Sequence, residues 1–210
     1  MNLAETSDSP KMFTGGALET NAYLLSCPEG NLLIDAPEGS AEAFANIPIA
    51  LLVLTHGHFD HAWDAAEVAR LHHCPVAMHA ITEEMLADRD LLRRFGLDLE
   101  VEPVSASLLL GEGKGQRLLG RSFDIFEVPG HCPGSLCLHS KKNAFLFGGD
   151  VLFAGGVGRW DLPGGDRELL ISGIRTKLLP LAAQTIVYPG HGPATTIGRE
   201  KLSNPYLQEN

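Results

Sequence analysis

The sequence predicts an α/β fold, with two sheets packed face to face and helices outside them, on three observations. Short apolar runs alternate with helical patterns in the first half. The second half is richer in strand-like runs parted by glycine- or Lys-Asn-containing turns. Clusters of histidine and aspartate fall where apolar runs stop, which is where open sheets gather their sites. Sheets with helices on their flanks are the layered arrangement such a pattern serves.

Taken in chain order, residues 21–26 and 31–35 are apolar runs split by Cys27-Pro28-Glu29-Gly30, which predicts a hairpin with a proline-containing turn. Residues 40–45 read as a short helix. Residues 49–54 form an unbroken aliphatic run, the pattern of a strand buried on both faces. A helix over 62–71, a strand over 75–79 and a helix over 82–93 follow. Strands are then predicted over 107–110, 117–119, 122–128, 136–139 and 144–147, with a helix over 167–179 and a last strand over 185–188.

A length of 210 residues with 44% hydrophobic content fits one domain, 1–210, with a sizeable core. Sixteen basic residues against 26 acidic ones leave a net charge of −10, which argues against a nucleic-acid partner. No run approaches the ~20 apolar residues of a membrane span, and the opening residues lack a charged start followed by an apolar stretch, so a cytoplasmic location is expected. The cysteines, Cys27, Cys74, Cys132 and Cys137, form no Cys-x-x-Cys pair and are expected to be reduced. Of these only Cys132 adjoins a candidate site residue, and packing is the first expectation for it.

The chemistry is concentrated in Thr55-His56-Gly57-His58-Phe59-Asp60-His61. Three imidazoles and a carboxylate this dense crowd and desolvate one another unless a cation satisfies them. His56 and His58, two apart, project to one side of an extended segment, while Asp60 and His61 lie beyond a bend and can face a second ion. Gly57 is expected to supply the backbone freedom for that bend. Three further candidates stand among glycines and prolines after apolar runs: His131, Asp150 and His191. Nitrogen and carboxylate donors suit zinc, iron or manganese.

Together these motifs resemble the metallo-β-lactamase superfamily, in order and spacing, from Thr20-Asn21-Ala22-Tyr23-Leu24 through Pro189-Gly190-His191-Gly192-Pro193. Within it the chain is most similar to the compact glyoxalase II-like hydrolases. Gly158-Arg159-Trp160-Asp161-Leu162-Pro163-Gly164-Gly165, Thr195-Thr196-Ile197-Gly198-Arg199-Glu200 and Asn204-Pro205 strengthen that match. The resemblance implies a four-layer αβ/βα sandwich and two divalent cations, zinc before iron or manganese. It assigns His56, His58 and His131 to one ion, Asp60, His61 and His191 to the other, and Asp150 to both. Asp60 and Asp150 would serve catalysis with a metal-bound hydroxide, and the substrate would be S-D-lactoylglutathione or a similar small thioester. The helical extension that helps such enzymes hold glutathione after the last histidine is not expected here. Cys132 and Trp160 stand where relatives often carry threonine.

A second activity fits the same motifs: persulfide dioxygenation at a single iron held by His56, His131 and Asp150. A non-catalytic metal-binding domain is the reading from another class. Around the candidates, Asp35 and Thr55 are expected either to orient a ligand histidine or to cap a turn. Ser135 would tie down its own turn. His72, His73, His79 and His139 are expected in surface or helix packing, Lys141 and Asn143 in a solvated turn, and the Arg159-Trp160 loop at the pocket mouth. Oligomeric state is not readable.

Overall fold

The computed structural model describes residues 9–88, 90, 93, 96 and 98–208. One sheet orders its strands as the chain does: β1 (Lys11–Gly15), β2 (Thr20–Cys27), β3 (Gly30–Ile34), β4 (Leu51–Val53), β5 (Val76–Met78) and β6 (Leu108–Leu109). β1, β2 and β3 are antiparallel, and every pairing from β3 to β6 is parallel. Parallel neighbours need crossovers. Here they are α1 (Ser40–Ala43), then α2 (Phe59–Ala62) with α3 (Ala65–His72), and α4 (Ala80–Ala87).

The other sheet runs β14-β13-β10-β9-β8-β7, from β7 (Gly113–Leu118), β8 (Arg121–Glu127), β9 (Leu136–Ser140), β10 (Phe145–Gly149), β13 (Ile186–Pro189) and β14 (Thr195–Thr196). Only β10 and β13 are parallel in it. Their crossover holds a small hairpin, β11 (Leu152–Phe153) with β12 (Gly156–Val157), and α5 (Arg167–Gly173), which continues as a π-helical turn over Ile174–Leu178. α6 (Ile197–Ser203) and α7 (Pro205–Gln208) close the described chain. No described helix is long and apolar enough to cross a membrane.

Alternation along the strands sorts apolar side chains into three buried layers. Leu24, Leu33, Leu52 and Leu54 face outward onto Ala65, Val68 and Phe44. Leu25, Leu32, Ile34, Leu51 and Val53 face inward onto Phe123, Ile125, Leu138, Phe145 and Phe147 of the second sheet. Cys137, Leu146 and Val187 face outward again onto Leu170, Ile174, Leu178 and Ile197. Helix, sheet, sheet and helix therefore stack in four layers, the metallo-β-lactamase fold. β4 confirms the predicted strand buried on both faces, since adjacent residues serve different layers and neither face is left for polar groups.

Several boundaries differ from expectation, each for a physical reason. The helix expected over 62–71 begins only at Ala65, as α3, because the chain turns at Trp63-Asp64 and Asp64 N–H bonds the Ala36 carbonyl. The helix expected from 82 begins at Ala80, because the His79 side chain accepts the Ile81 N–H as a cap. The last part of that expected helix falls partly outside the described residues. β1, β11, β12, β14, α2, α6 and α7 were not expected. The four strands are an exposed edge or two-residue pairs, which carry little apolar periodicity.

Candidate metal centre

The two sheets meet along one edge, and the site is built there. Leu136 N–H bonds the Thr55 carbonyl at 2.8 Å, Asn21 N–H bonds the Gly190 carbonyl at 2.7 Å, and the Tyr23 hydroxyl donates to the Pro189 carbonyl at 2.7 Å. The ends of β4, β10 and β13 are thereby drawn together. The loop after β4 carries His56, His58, Asp60 and His61; the turn between β8 and β9 carries His131; Asp150 and His191 follow β10 and β13.

The rings of His56, His61, His131 and His191 are each turned by a hydrogen bond on the outer nitrogen. Asp35, directly after β3 and in the left-handed region at φ 58°, accepts Thr55 N–H at 2.7 Å and the Thr55 hydroxyl at 2.8 Å. Its Oδ2 also takes His61 Nδ1 at 2.8 Å. With its proton committed to Asp35, the Thr55 oxygen accepts from His56 Nδ1 at 3.1 Å. His131 Nδ1 donates to the Arg159 carbonyl at 2.8 Å and His191 Nδ1 to the Leu18 carbonyl at 3.0 Å. Four Nε2 atoms are thus left to point inward, their tautomers set from behind. Asp35 and Thr55 therefore orient imidazoles, one of their two expected roles.

The inward atoms form two trios. His58 Nδ1 stands 3.1 Å from His56 Nε2 and 2.9 Å from His131 Nε2. Nitrogens around one tetrahedral zinc lie roughly 3.3 Å apart, as bonds of ~2.0–2.1 Å require, so this spacing suits a shared cation. In the second trio, Asp60 Oδ2 is 3.5 Å from His61 Nε2 and 3.3 Å from His191 Nε2. Asp150 reaches both, with Oδ1 3.2 Å from His61 Nε2 and Oδ2 3.3 Å from His191 Nε2 and 3.6 Å from His131 Nε2. All seven candidates are brought together, and the groupings His56–His58–His131 and Asp60–His61–His191 could each hold a metal ion.

Charge divides the trios. Burial, aided by the neighbouring imidazoles, lowers His56 and brings His58 down to about 3. Burial lowers His131 as well. In the second trio burial also resists charge, but the carboxylates outweigh it: His61 rises well above its ordinary value and His191 to about 10. Burial would raise Asp60 and Asp150, yet His61 and His191 hold both below the usual carboxylate range. One trio is therefore neutral donors facing one another, and the other draws in positive charge. His61 Nε2 and Asp150 Oδ1 are buried without a hydrogen-bond partner, an expensive arrangement that a cation between them would relieve. The donor set fits metal on both counts.

The neighbours refine the expectations. Gly57 is not in the left-handed region; a side chain there would meet Met85 Cβ of α4 at 2.9 Å, so close approach rather than backbone freedom demands glycine. Cys132 is fully buried, its sulfur 3.6 Å from Met85 Sδ, and burial raises its thiol to about 11, so it packs. Ser135 does tie its own turn, donating to the Cys132 carbonyl at 2.7 Å. Trp160 packs edge-on against Tyr206, beneath the Arg167 guanidinium. His139 lies buried inside β9, stacked on Phe126, and not on the surface. Thr20 was missed. Its hydroxyl donates to Asp60 Oδ2 at 2.7 Å, across 40 residues that no local spacing spans.

Comparison with known proteins agrees with this geometry. The pattern described as Metallo-beta-lactamase superfamily matches residues 15–191. Hydroxyacylglutathione hydrolase GloC of Haemophilus influenzae is 40% identical over 205 residues, covering 91% of this chain and 94% of that protein. Among solved structures, BLEG-1 B3 metallo-beta-lactamase is 37% identical with a TM-score of 0.88, over 95% of this chain and all (100%) of that one. TTHA1623, solved in a di-iron-bound form, is 36% identical with a TM-score of 0.82, over 94% and 100% of the two chains.

Proposed function

From the premise that the chain belongs to the metallo-beta-lactamase superfamily, we propose that it is a dinuclear metal-dependent hydrolase of small thioesters, with S-D-lactoylglutathione the first substrate to test. The observation that carries the reading is the pair of donor trios joined by Asp150, with His61 Nε2 and Asp150 Oδ1 buried 3.2 Å apart and neither making a hydrogen bond. His56, His58 and His131 would hold one ion, Asp60, His61 and His191 the other, and Asp150 both. The 40% identity to hydroxyacylglutathione hydrolase GloC supports the substrate class, and the di-iron form of TTHA1623 supports a two-ion centre. Zinc, iron and manganese all suit these donors.

Divalent cations held there supply Lewis acidity, bringing the pKa of water towards neutrality and polarising a carbonyl. The chain's own residues hold the geometry. Asp35, Thr55 and the Arg159 and Leu18 carbonyls each hold a ring by its outer nitrogen, so that the inner nitrogens are the ones turned towards an ion. Thr20 fixes Asp60 Oδ2, and both carboxylates stay ionised throughout the neutral range. A thiolate, from a thiol of pKa ~8.5, departs without a general acid, which favours a thioester over an amide.

The test is metal content per chain together with hydrolysis of S-D-lactoylglutathione. Nearly two ions with turnover support the reading. One iron per chain, with oxygen uptake on glutathione persulfide and no hydrolysis, would replace it with persulfide oxidation. Asp150→Ala should remove most turnover and leave the circular dichroism spectrum unchanged; full turnover would sink the scheme.

A further inference from the structure

The C-terminal motif Thr195 to Glu200 with Asn204 takes no part in either trio, yet it holds a fully buried carboxylate. Glu200 has 0% exposure. Its Oε1 accepts the Thr195 hydroxyl at 2.5 Å, and its Oε2 accepts Gly155 N–H at 2.8 Å and the Asn204 amide at 2.9 Å. Asn204 Nδ2 donates also to the Gly156 carbonyl at 2.9 Å. A buried carboxylate is costly unless its hydrogen bonds are made, so these contacts are held firmly. Gly155 lies in the turn of the β11–β12 hairpin, and Gly156 opens β12.

That hairpin is the common support of every candidate ligand that the second half contributes. β11 begins two residues after Asp150. Beyond β12, Gly158 N–H returns to the Val151 carbonyl at 3.3 Å, and the next carbonyl, of Arg159, holds His131 Nδ1. Phe153 presents its ring edge-on to His191, with centroids 6.2 Å apart. Tyr206, beyond Asn204, braces the same loop at Trp160.

We propose that Glu200, with Asn204, is a positioning residue for the metal centre, clamping the β11–β12 turn so that His131, Asp150 and His191 keep the arrangement that retains the ions. The proposal rests on the metal-centre reading above. Its experiment is zinc affinity, measured by competition between the metal-depleted protein and a chromophoric chelator. Residues touching a ligand change metal affinity by 10–100-fold, and Glu200 acts one contact further out, so Glu200→Ala should weaken zinc binding about tenfold. Glu200→Gln should stay within about threefold of wild type. Its amide oxygen can accept from Gly155 and Asn204, while its NH2 donates to a Thr195 hydroxyl turned about.

Leu118→Ala, a cavity in the inter-sheet core on the far edge strand β7, is the control for general destabilisation and should bind zinc as wild type does. Should Glu200→Ala fail to fold, Asn204→Ala, which keeps the Gly155 contact, should show a smaller loss of the same sign. Undiminished affinity in Glu200→Ala, or an equal loss in Leu118→Ala, overturns the clamp. Wild-type protein that binds no zinc, iron or manganese overturns the metal-centre reading itself, and the clamp with it.

Discussion

At the residue scale, Asp35 shows how much of the centre lies behind the ligands. It holds a Thr55 N–H, a Thr55 hydroxyl and His61 Nδ1 at once. Asp35→Asn would keep the volume and a residue type that tolerates positive φ. With Oδ1 still serving Thr55 N–H, the amide would turn a donor towards His61, whose proton would move to Nε2 and face the metal. Zinc affinity should fall 10–100-fold with little change in thermal stability, as chelator competition and calorimetry can establish. Protonation offers a second check. Both imidazoles of the second trio are raised, His191 to about 10 from an ordinary 6.5, so at pH 7 they are charged before metal arrives. Loading should release protons, read from the buffer dependence of the calorimetric enthalpy. In the metal-free protein the stability supplied by charged His191 is complete below 6.5 and is lost as pH rises through about 10.

At the element scale, the loop after β4 and helix α4 form a packed pair. Because Gly57 meets Met85 Cβ at 2.9 Å and has no unusual φ, Gly57→Ala should displace the loop and lower metal content. The double variant Gly57→Ala/Met85→Ala should recover much of it. No recovery would return the glycine to the role of a flexible joint, as its sequence context first implied. The strongly apolar runs, β2 to β5 and β8 to β10, were legible because their alternation serves two buried layers at once. The β11–β12 hairpin was not, since Leu152-Phe153 and Gly156-Val157 carry no period. Its place is set by Glu200 and Asn204, more than 40 residues on. The ligand cluster 56–61 could be read from its density alone. The carbonyls of Leu18 and Arg159 could not, because every residue has one.

At the scale of the whole molecule, the sheets share one core and one seam, and each trio takes two donors from the first half and one from the second. An ion bound in either trio would tie the halves together and stabilise the folded form by mass action. At free metal a hundredfold above the dissociation constant, each site adds about 2.7 kcal/mol. For a chain of this length that amounts to roughly 5–10 °C in the unfolding midpoint per site, measurable by scanning with and without chelator. An unchanged midpoint would show that the seam holds without metal.

The same division of donors sets an order of events in biogenesis. As the chain leaves the ribosome, His56, His58, Asp60 and His61 emerge first, and neither trio can be completed until His131 and His191 have followed and the second sheet has docked. An ion bound there would thus be a late acquisition, captured once the second sheet has docked. It would act as a certificate of correct assembly, unlike the ion of a zinc finger, which seeds the fold.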